Sequence, residues 1–144
     1  DLVNADYVLI DIEFGNFQKS NYIKMISDLC DHLINNFKLK IIFISSQVEE
    51  FEAIINSSEK LTSENFIHSK QNLKDTINYF PLLKHSILII TNKFKILHFL
   101  ELINKAYYLI KGEWKLSRLF YPVIYFKNYS KKTIGEINYM IKNL

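Results

Sequence analysis

Two acids and an amide follow the first strongly apolar segment of the chain, in the stretch VLIDIEFGN. Asp11 and Glu13 are two positions apart, so their side chains point to the same side of a continuing strand. Two carboxylates at this spacing could hold a divalent cation through water molecules. The alternative is structural, with Asp11 hydrogen-bonded to a neighbouring loop and Glu13 solvated. Asp11 is therefore the first candidate for a functional residue.

Polar residues also follow the next three apolar segments. In open α/β sheets, ligands bind at the carboxyl ends of the strands, near the point where the strand order reverses. If the strand order is 3-2-1-4-5, the first strand is central and Asp11 projects into that crevice. The other strand ends would bring further polar residues to the same edge: Ser45, Ser46, Gln47, His68, Ser69, Thr91, Asn92 and Lys93.

The elements that must position these residues alternate along the chain. Apolar runs with both parities filled, typical of strands covered on both faces, are 7–12, 39–44, 66–68, 86–90, 106–110 and 123–126. Apolar residues at helical spacing predict helices at 22–37, 48–56, 70–80 (ended by Pro81), 94–104 and after 130. This alternation predicts an α/β fold, a three-layer Rossmann-like sandwich of five to six mainly parallel strands with helices on both faces.

Composition is that of a globular protein, because 49% of the 144 residues are hydrophobic and 23% are charged. We expect one domain over residues 1–144, either whole or a fragment of a larger protein. The net charge of +3 permits contact with a polyanion without requiring it. No apolar run reaches the roughly 18 residues of a membrane span, and no signal-peptide pattern opens the chain. The single Cys30 lies in a helical apolar pattern as a small hydrophobe, which favours an intracellular, reducing compartment.

The glycine and histidine residues of the chain disfavour two kinds of functional site. Gly15 stands alone, so the glycine-rich loop of a dinucleotide site is missing. The four histidines are not spaced at i+3 or i+4, so a helical zinc site is not supported. For His68, a hydrogen-bonded structural role is favoured over catalysis.

Aromatic residues alternate with cations in the C-terminal third of the chain. Such a pattern can stack and neutralise single-stranded nucleic acid. The alternative is that the aromatic residues belong to the core and the lysines to the solvated surface. The aromatic residues concerned are Tyr107, Tyr108, Trp114, Tyr121, Tyr125 and Tyr129.

The stretch VLIDIEFGNFQ resembles the opening of PIN-like nucleases, including the NYN subgroup, in which a strand ends in Asp and an acid or Gly and an Asn follow. QNLKDTINYF resembles the helix that supplies a further acid, here Asp75. ILIITNKF stands where that family has a strand followed by Ser, a variable residue and Asp, and Lys93 replaces the acid. SRLFYPVIYF resembles a later segment, with Pro122 near the place of another expected acid.

The resemblance implies a domain that binds or cleaves RNA through Mg²⁺ or Mn²⁺. Asp11, Glu13 and Asp75 would be catalytic, with Asp11 and Glu13 as metal ligands, and the metal would activate water for phosphodiester hydrolysis. The substrate-binding residues would be Asn16, Ser45, Ser46, Thr91, Asn92 and Lys93. If the site is degenerate, no metal is needed, because Lys93 would form an ion pair with Asp11 in the place of the metal.

Two alternatives stay open at this point. One is a catalytically degenerate Rossmann-like module that binds a partner protein or assembles a complex through aromatic residues near the C-terminus. The other is a haloacid-dehalogenase-like phosphatase, which the same strand ends resemble. In that case Asp11 would be the nucleophile, Glu13 the general acid, and Ser45 or Ser46 the phosphate-binding hydroxyl.

Overall fold

The structure, a computed structural model, describes residues 6–12, 19–45, 47–69, 76–93, 96–111, 123–125 and 131–143. Its strands are β1 (Tyr7–Asp11), β2 (Lys40–Ile44), β3 (Phe66–Ser69), β4 (Leu88–Thr91), β5 (Tyr107–Lys111) and β6 (Val123–Tyr125). Its helices are α1 (Lys19–Phe37), α2 (Val48–Asn56), α3 (Thr76–His85), α4 (Leu97–Leu102) and α5 (Lys131–Lys142).

The six strands form one sheet in the order β3-β2-β1-β4-β5-β6. Each neighbouring pair is parallel. Parallel strands need crossover connections, and α1, α2, α3 and α4 lie in the connections between successive strands from β1 to β5. The predicted Rossmann-like α/β fold is therefore confirmed, and the observed strand order is the one for which the first strand was expected to be central.

Successive residues of a strand pack into two separate hydrophobic cores, one on each face of the sheet. Val8 and Ile10 of β1 belong to the core beneath α1, α2 and α5, together with Ile26 and Ile137. Leu9, one position away, belongs to the second core beneath α3 and α4. Because a strand presents successive side chains to opposite faces, a run that is apolar at every position must be covered on both.

Helix α1 follows the predicted apolar stripe, with Ile26, Cys30 and Leu33 buried. Cys30 is a buried thiol, as predicted. Burial raises its pKa well above the usual range, and the charge of Asp31 adds to this effect. Both causes disfavour the thiolate, so Cys30 behaves as an apolar core residue.

Helix α3 differs from its prediction, because the helix contains Pro81 and continues to His85. Leu83 is buried and Leu82 is partly buried against the second core. Their packing offsets the backbone hydrogen bond that proline cannot donate. Phe80, the last apolar residue of the helix predicted over 70–80, does not face the core, since its side chain is 41% exposed and packs edge-on against Phe99.

None of the helices in the described part of the chain combines the length and the hydropathy that crossing a bilayer requires.

Candidate functional site

The strand order of the sheet reverses between β1 and β4. From β1 the chain adds β2 and β3 on one side, and β4, β5 and β6 follow on the other. At such a point the two crossovers leave in opposite directions, which opens a crevice outside the carboxyl ends of the two strands. Asp11 and Thr91 are register partners at these ends. The reversal therefore falls where the sequence predicts a site.

The β1–β4 tip, made of Asp11, Thr91, Asn92 and Lys93, is held by an ion pair. The ammonium of Lys93 donates to Oδ1 of Asp11. The side chain of Asp11 is 1% exposed and that of Lys93 is 15% exposed. A buried carboxylate is costly without an opposite charge, so the lysine compensates the acid. The predicted ion pair between Lys93 and Asp11 is present.

A short turn fixes the backbone from which Lys93 extends. Thr91 is fully buried, and its Oγ1 accepts the backbone N–H of Lys93 at 3.0 Å. A threonine hydroxyl that bonds a backbone N–H two residues on stabilises a turn at a strand end. The turn and the ion pair together hold the Lys93 side chain at the carboxyl ends of β1 and β4.

The β2 tip, made of Ser45, Gln47, Glu50 and His68, lies beside β1. The buried Ser45 accepts the backbone N–H of Gln47 at 3.0 Å, and its hydroxyl donates to Oε2 of Glu50 at 2.6 Å. Glu50 is half-buried in the first turn of α2. Acids in a first helical turn are favoured by the helix dipole. The result is a second carboxylate fixed at the carboxyl edge of the sheet.

His68 stabilises this tip from β3. Its Nε2 lies 3.2 Å from the carbonyl oxygen of Ser45, in the position of a donor. Its ring stacks on Phe51 with centroids 4.9 Å apart, and Phe51 also stacks on Phe66 at 5.0 Å. This arrangement is the hydrogen-bonded, structural histidine that the sequence favours. It also fixes the rotation of α2, and with it the position of Glu50.

Several sequence-predicted site residues lie outside the described residues: Glu13, Asn16, Ser46 and Asp75. Their roles stay predictions. Among the residues that the structure describes, no group of three or more His, Cys, Asp or Glu side chains could hold a metal ion. Asp11, the described metal-ligand candidate, is engaged by the ammonium of Lys93.

For the first two aromatic residues of the C-terminal third, the structure favours the core alternative over a surface for nucleic acid. Tyr107 and Tyr108 are fully buried in β5, so neither ring can stack on a base. The hydroxyl of Tyr107 donates to Oε1 of Glu101 at 3.2 Å. Trp114, Tyr121 and Tyr129 lie outside the described residues.

Sequence reasoning did not assign Glu50 to the site. The signal was present, because a serine at a strand end precedes an acid in the first turn of the next helix. What the sequence could not supply is the direct contact between Ser45 and Glu50, which depends on how α2 packs against β3.

A broad groove lies at the opposite, amino edge of β2 and β3. Its volume is about 630 Å³. Exposed side chains form much of its wall, and the lining residues are Ile34, Lys38, Leu39, Lys40, Ser63, Glu64, Asn65 and Ile67. The groove therefore does not share residues with the two strand tips.

Comparison with known proteins identifies the fold by structure alone. No protein-family model matches the chain, and no curated protein matches it. Among solved structures, the ADP-heptose LPS heptosyltransferase II of E. coli superposes with a TM-score of 0.68 at 12% identity, over 97% of this chain and 48% of that one. The E. coli heptosyltransferase WaaC with ADP gives a TM-score of 0.65 at 13% identity, over 99% of this chain and 45% of that one.

S. aureus MnaA, solved with UDP, superposes with a TM-score of 0.59 at 16% identity, over 75% of this chain and 28% of that one. The chain thus spans less than half the length of each of these three proteins. At such identities the likeness establishes a Rossmann-like fold.

These comparisons correct the predicted function. The prediction of a PIN-like domain that binds or cleaves RNA through a metal is wrong, because the matching structures are heptosyltransferases and a UDP-bound protein. The same finding replaces its two alternatives, the assembly module and the haloacid-dehalogenase-like phosphatase. The resemblance of individual motifs to the PIN-like family stays a prediction. The chain is similar to a part of each of these larger proteins, of which WaaC was solved with ADP and MnaA with UDP.

Proposed function

We propose that this chain is a Rossmann-like domain that binds the diphosphate of a nucleotide or nucleotide sugar in the crevice between β1 and β4. The observation that carries the proposal is the Lys93 ammonium, which the buried Asp11 fixes at the point where the strand order reverses. Ligands of open α/β sheets bind at this point. Lys93 would contact a phosphate oxygen, and Asp11 would act as its positioning residue.

The chemistry of the pair suits an anionic ligand. A lysine ammonium carries three N–H donors, so a lysine in an ion pair can also donate to a phosphate oxygen. Lysine binds phosphate as a point charge, which makes it less dependent on orientation than arginine. Because Asp11 is 1% exposed, its own charge lies behind the ammonium and not at the surface. An approaching anion would therefore meet the cation first.

The likeness to solved structures supports the same ligand class. Two of the superposing proteins were solved with nucleoside diphosphates, ADP in WaaC and UDP in MnaA. Both are more than twice as long as the part that this chain matches. We therefore propose that this domain contributes one part of a sugar-nucleotide site, and that further protein, in the same chain or in a partner, supplies the rest. Sugar transfer would belong to the complete assembly.

Titration calorimetry with ADP, UDP and inorganic pyrophosphate tests the proposal. We expect the wild-type domain to bind all three, and Lys93→Met to weaken each by about tenfold, which corresponds to 1.4 kcal/mol. Lys93→Arg keeps a cation beside Asp11 and should retain most of the affinity. Lys60→Met is the matched control, because Lys60 is exposed and distant in sequence from the crevice.

Melting curves of each variant establish that the protein titrated is folded. Absence of binding by the folded wild-type domain would overturn the proposal. So would equal affinities of the folded wild-type protein and the folded Lys93→Met variant, because the cation would then make no contact with the ligand.

A further inference from the structure

The outer surface of α3 and α4 carries large apolar side chains that lie outside the two cores. Phe80 of α3 is 41% exposed, Phe99 of α4 is 38% exposed, and Leu102 at the end of α4 is 84% exposed. The rings of Phe80 and Phe99 meet edge-on with centroids 5.8 Å apart, and Leu102 lies one helical turn from Phe99. These three side chains form one apolar surface across two helices, called here the α3–α4 patch. Contiguous exposed apolar surface is typical of a site that contacts another molecule.

The α3–α4 patch is held in place by buried neighbours in the same two helices. Leu83 of α3 and both Leu97 and Leu100 of α4 are buried in the second core. These residues fix the helices against the sheet, so the patch has its shape before a partner binds. Little conformational entropy of the helices would therefore be lost on binding.

Two lysines lie at one end of the patch. Lys84 is exposed and follows Phe80 by four positions in α3, so the two side chains are neighbours on one helical face. The ammonium of Lys105 donates to the carbonyl oxygen of Lys84 at 2.9 Å, which brings a second cation to the same end. Among the described residues of α3 and α4, the acid is Glu101, whose Oε1 accepts the hydroxyl of Tyr107 at 3.2 Å. The surroundings of the patch are therefore more basic than acidic.

We propose that the α3–α4 patch binds an amphipathic helix of a partner protein that carries acidic residues at one end of its apolar face. Helices that bind in this way present apolar anchors on one face, spaced about three to four positions apart. These anchors would cover Phe80, Phe99 and Leu102, and the acids would lie beside Lys84 and Lys105. The proposal is independent of the nucleotide site, because the patch shares no residue with the two strand tips.

The charges favour this occupant over two others. A second copy of this chain would bring the same excess of lysine to the contact, and like charges that face each other oppose association. An anionic membrane attracts clusters of about four to eight lysines or arginines, whereas the end of this patch has Lys84 and Lys105. An acidic amphipathic helix complements both features of the surface, because it supplies apolar area together with carboxylates.

Fluorescence anisotropy with two labelled helical peptides tests the proposal. The peptides share one leucine face, and one ends in glutamates whereas the other ends in lysines. We expect the wild-type domain to bind the glutamate peptide about tenfold more tightly than the lysine peptide. Leu102→Glu should weaken the glutamate peptide by about tenfold, because it removes apolar contact and adds a like charge. Lys84→Gln should reduce the preference for glutamate by about threefold, as expected for one exposed charge.

Tyr139→Glu is the matched control, because Tyr139 is an exposed apolar residue of α5, which packs on the other face of the sheet. This variant should bind both peptides as wild type does. Since Leu102 and Tyr139 are both exposed, neither variant should lower the melting temperature. A loss of several degrees in Leu102→Glu alone would mean that the chain itself covers the patch, and would overturn the proposal.

Three further outcomes would also contradict it. The first is a folded wild-type domain that binds neither peptide, or that binds both with equal affinity. The second is binding to phosphatidylcholine–phosphatidylserine vesicles that Leu102→Glu abolishes while peptide binding is unaffected, which would assign the patch to a membrane surface. The third is a dimer in sedimentation velocity that Leu102→Glu dissociates, which would assign it to a second copy of the chain.

Discussion

The β1–β4 tip and the β2 tip are built on the same local plan and differ in how their acid is compensated. In each, a buried hydroxyl accepts a backbone N–H two residues on, Thr91 from Lys93 and Ser45 from Gln47. The acid of the first tip, Asp11, is buried and paired with an ammonium. The acid of the second tip, Glu50, is half-buried and accepts a neutral hydroxyl.

The difference shows how burial decides the partner that a carboxylate needs. A charge removed from water requires an opposite charge, whereas a half-buried carboxylate keeps part of its hydration and is satisfied by a hydroxyl. The two contacts also differ in sequence separation. Asp11 and Lys93 are 82 positions apart, whereas Ser45 and Glu50 are five positions apart. The first tip therefore depends on the assembled sheet, and the second depends mainly on one strand–helix connection.

The largest effect is expected for Lys93→Met at the β1–β4 tip. This change removes the ammonium that compensates the buried Asp11 charge, so the free energy of unfolding should fall by about 3 kcal/mol. Urea denaturation at neutral pH measures it. Lys60→Met, at an exposed position, should change the value by no more than about 0.5 kcal/mol. If Lys93→Met lowers the free energy of unfolding by less than about 1 kcal/mol, the expected difference in stability between the two tips is contradicted.

A second variant separates the charge from the packing at the same tip. Asp11→Asn combined with Lys93→Met removes both charges, so the protein should be more stable than Lys93→Met alone, by about 1 kcal/mol or more. The same urea experiment gives this value. A double variant that is no more stable than the single one would show that the loss comes from side-chain packing.

A smaller effect is expected for Ser45→Ala at the β2 tip. It removes one hydrogen bond to Glu50 and one from Gln47, which together contribute about 1 to 2 kcal/mol. Glu50→Gln should cost less than about 0.5 kcal/mol, because the amide oxygen still accepts from Ser45. Urea unfolding of the two variants in parallel provides the measurement. A larger cost for Glu50→Gln than for Ser45→Ala would mean that the charge, and not the hydroxyl, organises this tip.

The stabilities of variants at the two tips are best compared below pH 9. Above it, the buried thiol of Cys30 makes the free energy of unfolding depend on pH. Burial keeps the pKa of Cys30 well above its usual range in the folded protein, so the thiol ionises first in the unfolded chain. Its contribution to stability is present below the pKa of the unfolded thiol and is lost as the pH rises beyond it, by about 1.4 kcal/mol for each pH unit.

The free energy of unfolding measured from pH 8 to pH 10 tests this dependence. The slope should become smaller in Cys30→Ala, whereas Ser45→Ala and Lys93→Met should retain it. Burial also raises the pKa of Tyr7, so a residual slope of the same sign is expected at the upper end of the range. An unchanged slope in Cys30→Ala would show that the thiol is not its source.

The smallest effect is expected for divalent metal. The ammonium of Lys93 already neutralises Asp11, so Mg²⁺ or Mn²⁺ without nucleotide should leave the melting temperature of the domain unchanged. Asp11→Asn should behave in the same way, and thermal shift measures both. A rise in the melting temperature of wild type that Asp11→Asn abolishes would instead indicate a metal at the β1–β4 tip. It would support the predicted metal site at Asp11 and Glu13.

Some of the tertiary contacts could be anticipated from sequence. The pairing of Lys93 with Asp11 follows from two strand ends that share an edge, provided that the first and fourth strands are neighbours. The exposed position of Phe80 could not be anticipated, because a proline normally ends a helix and the helix was predicted to end at this residue. In the structure, Leu83 is buried beyond Pro81 and Phe80 packs outside the core against Phe99. The favourable packing of later residues outweighed a local preference.

The sequence by itself determined the alternation of strands and helices, because hydrophobic periodicity is a local property that each segment carries alone. Runs such as Val8, Leu9 and Ile10 are apolar at every position, so they had to be buried on both faces. Only the tertiary structure decided that Tyr107 and Tyr108 are core residues, that Glu50 pairs with Ser45, and that the fold superposes on heptosyltransferases. These outcomes depend on strand register and helix rotation, which arise from packing between segments distant in the chain.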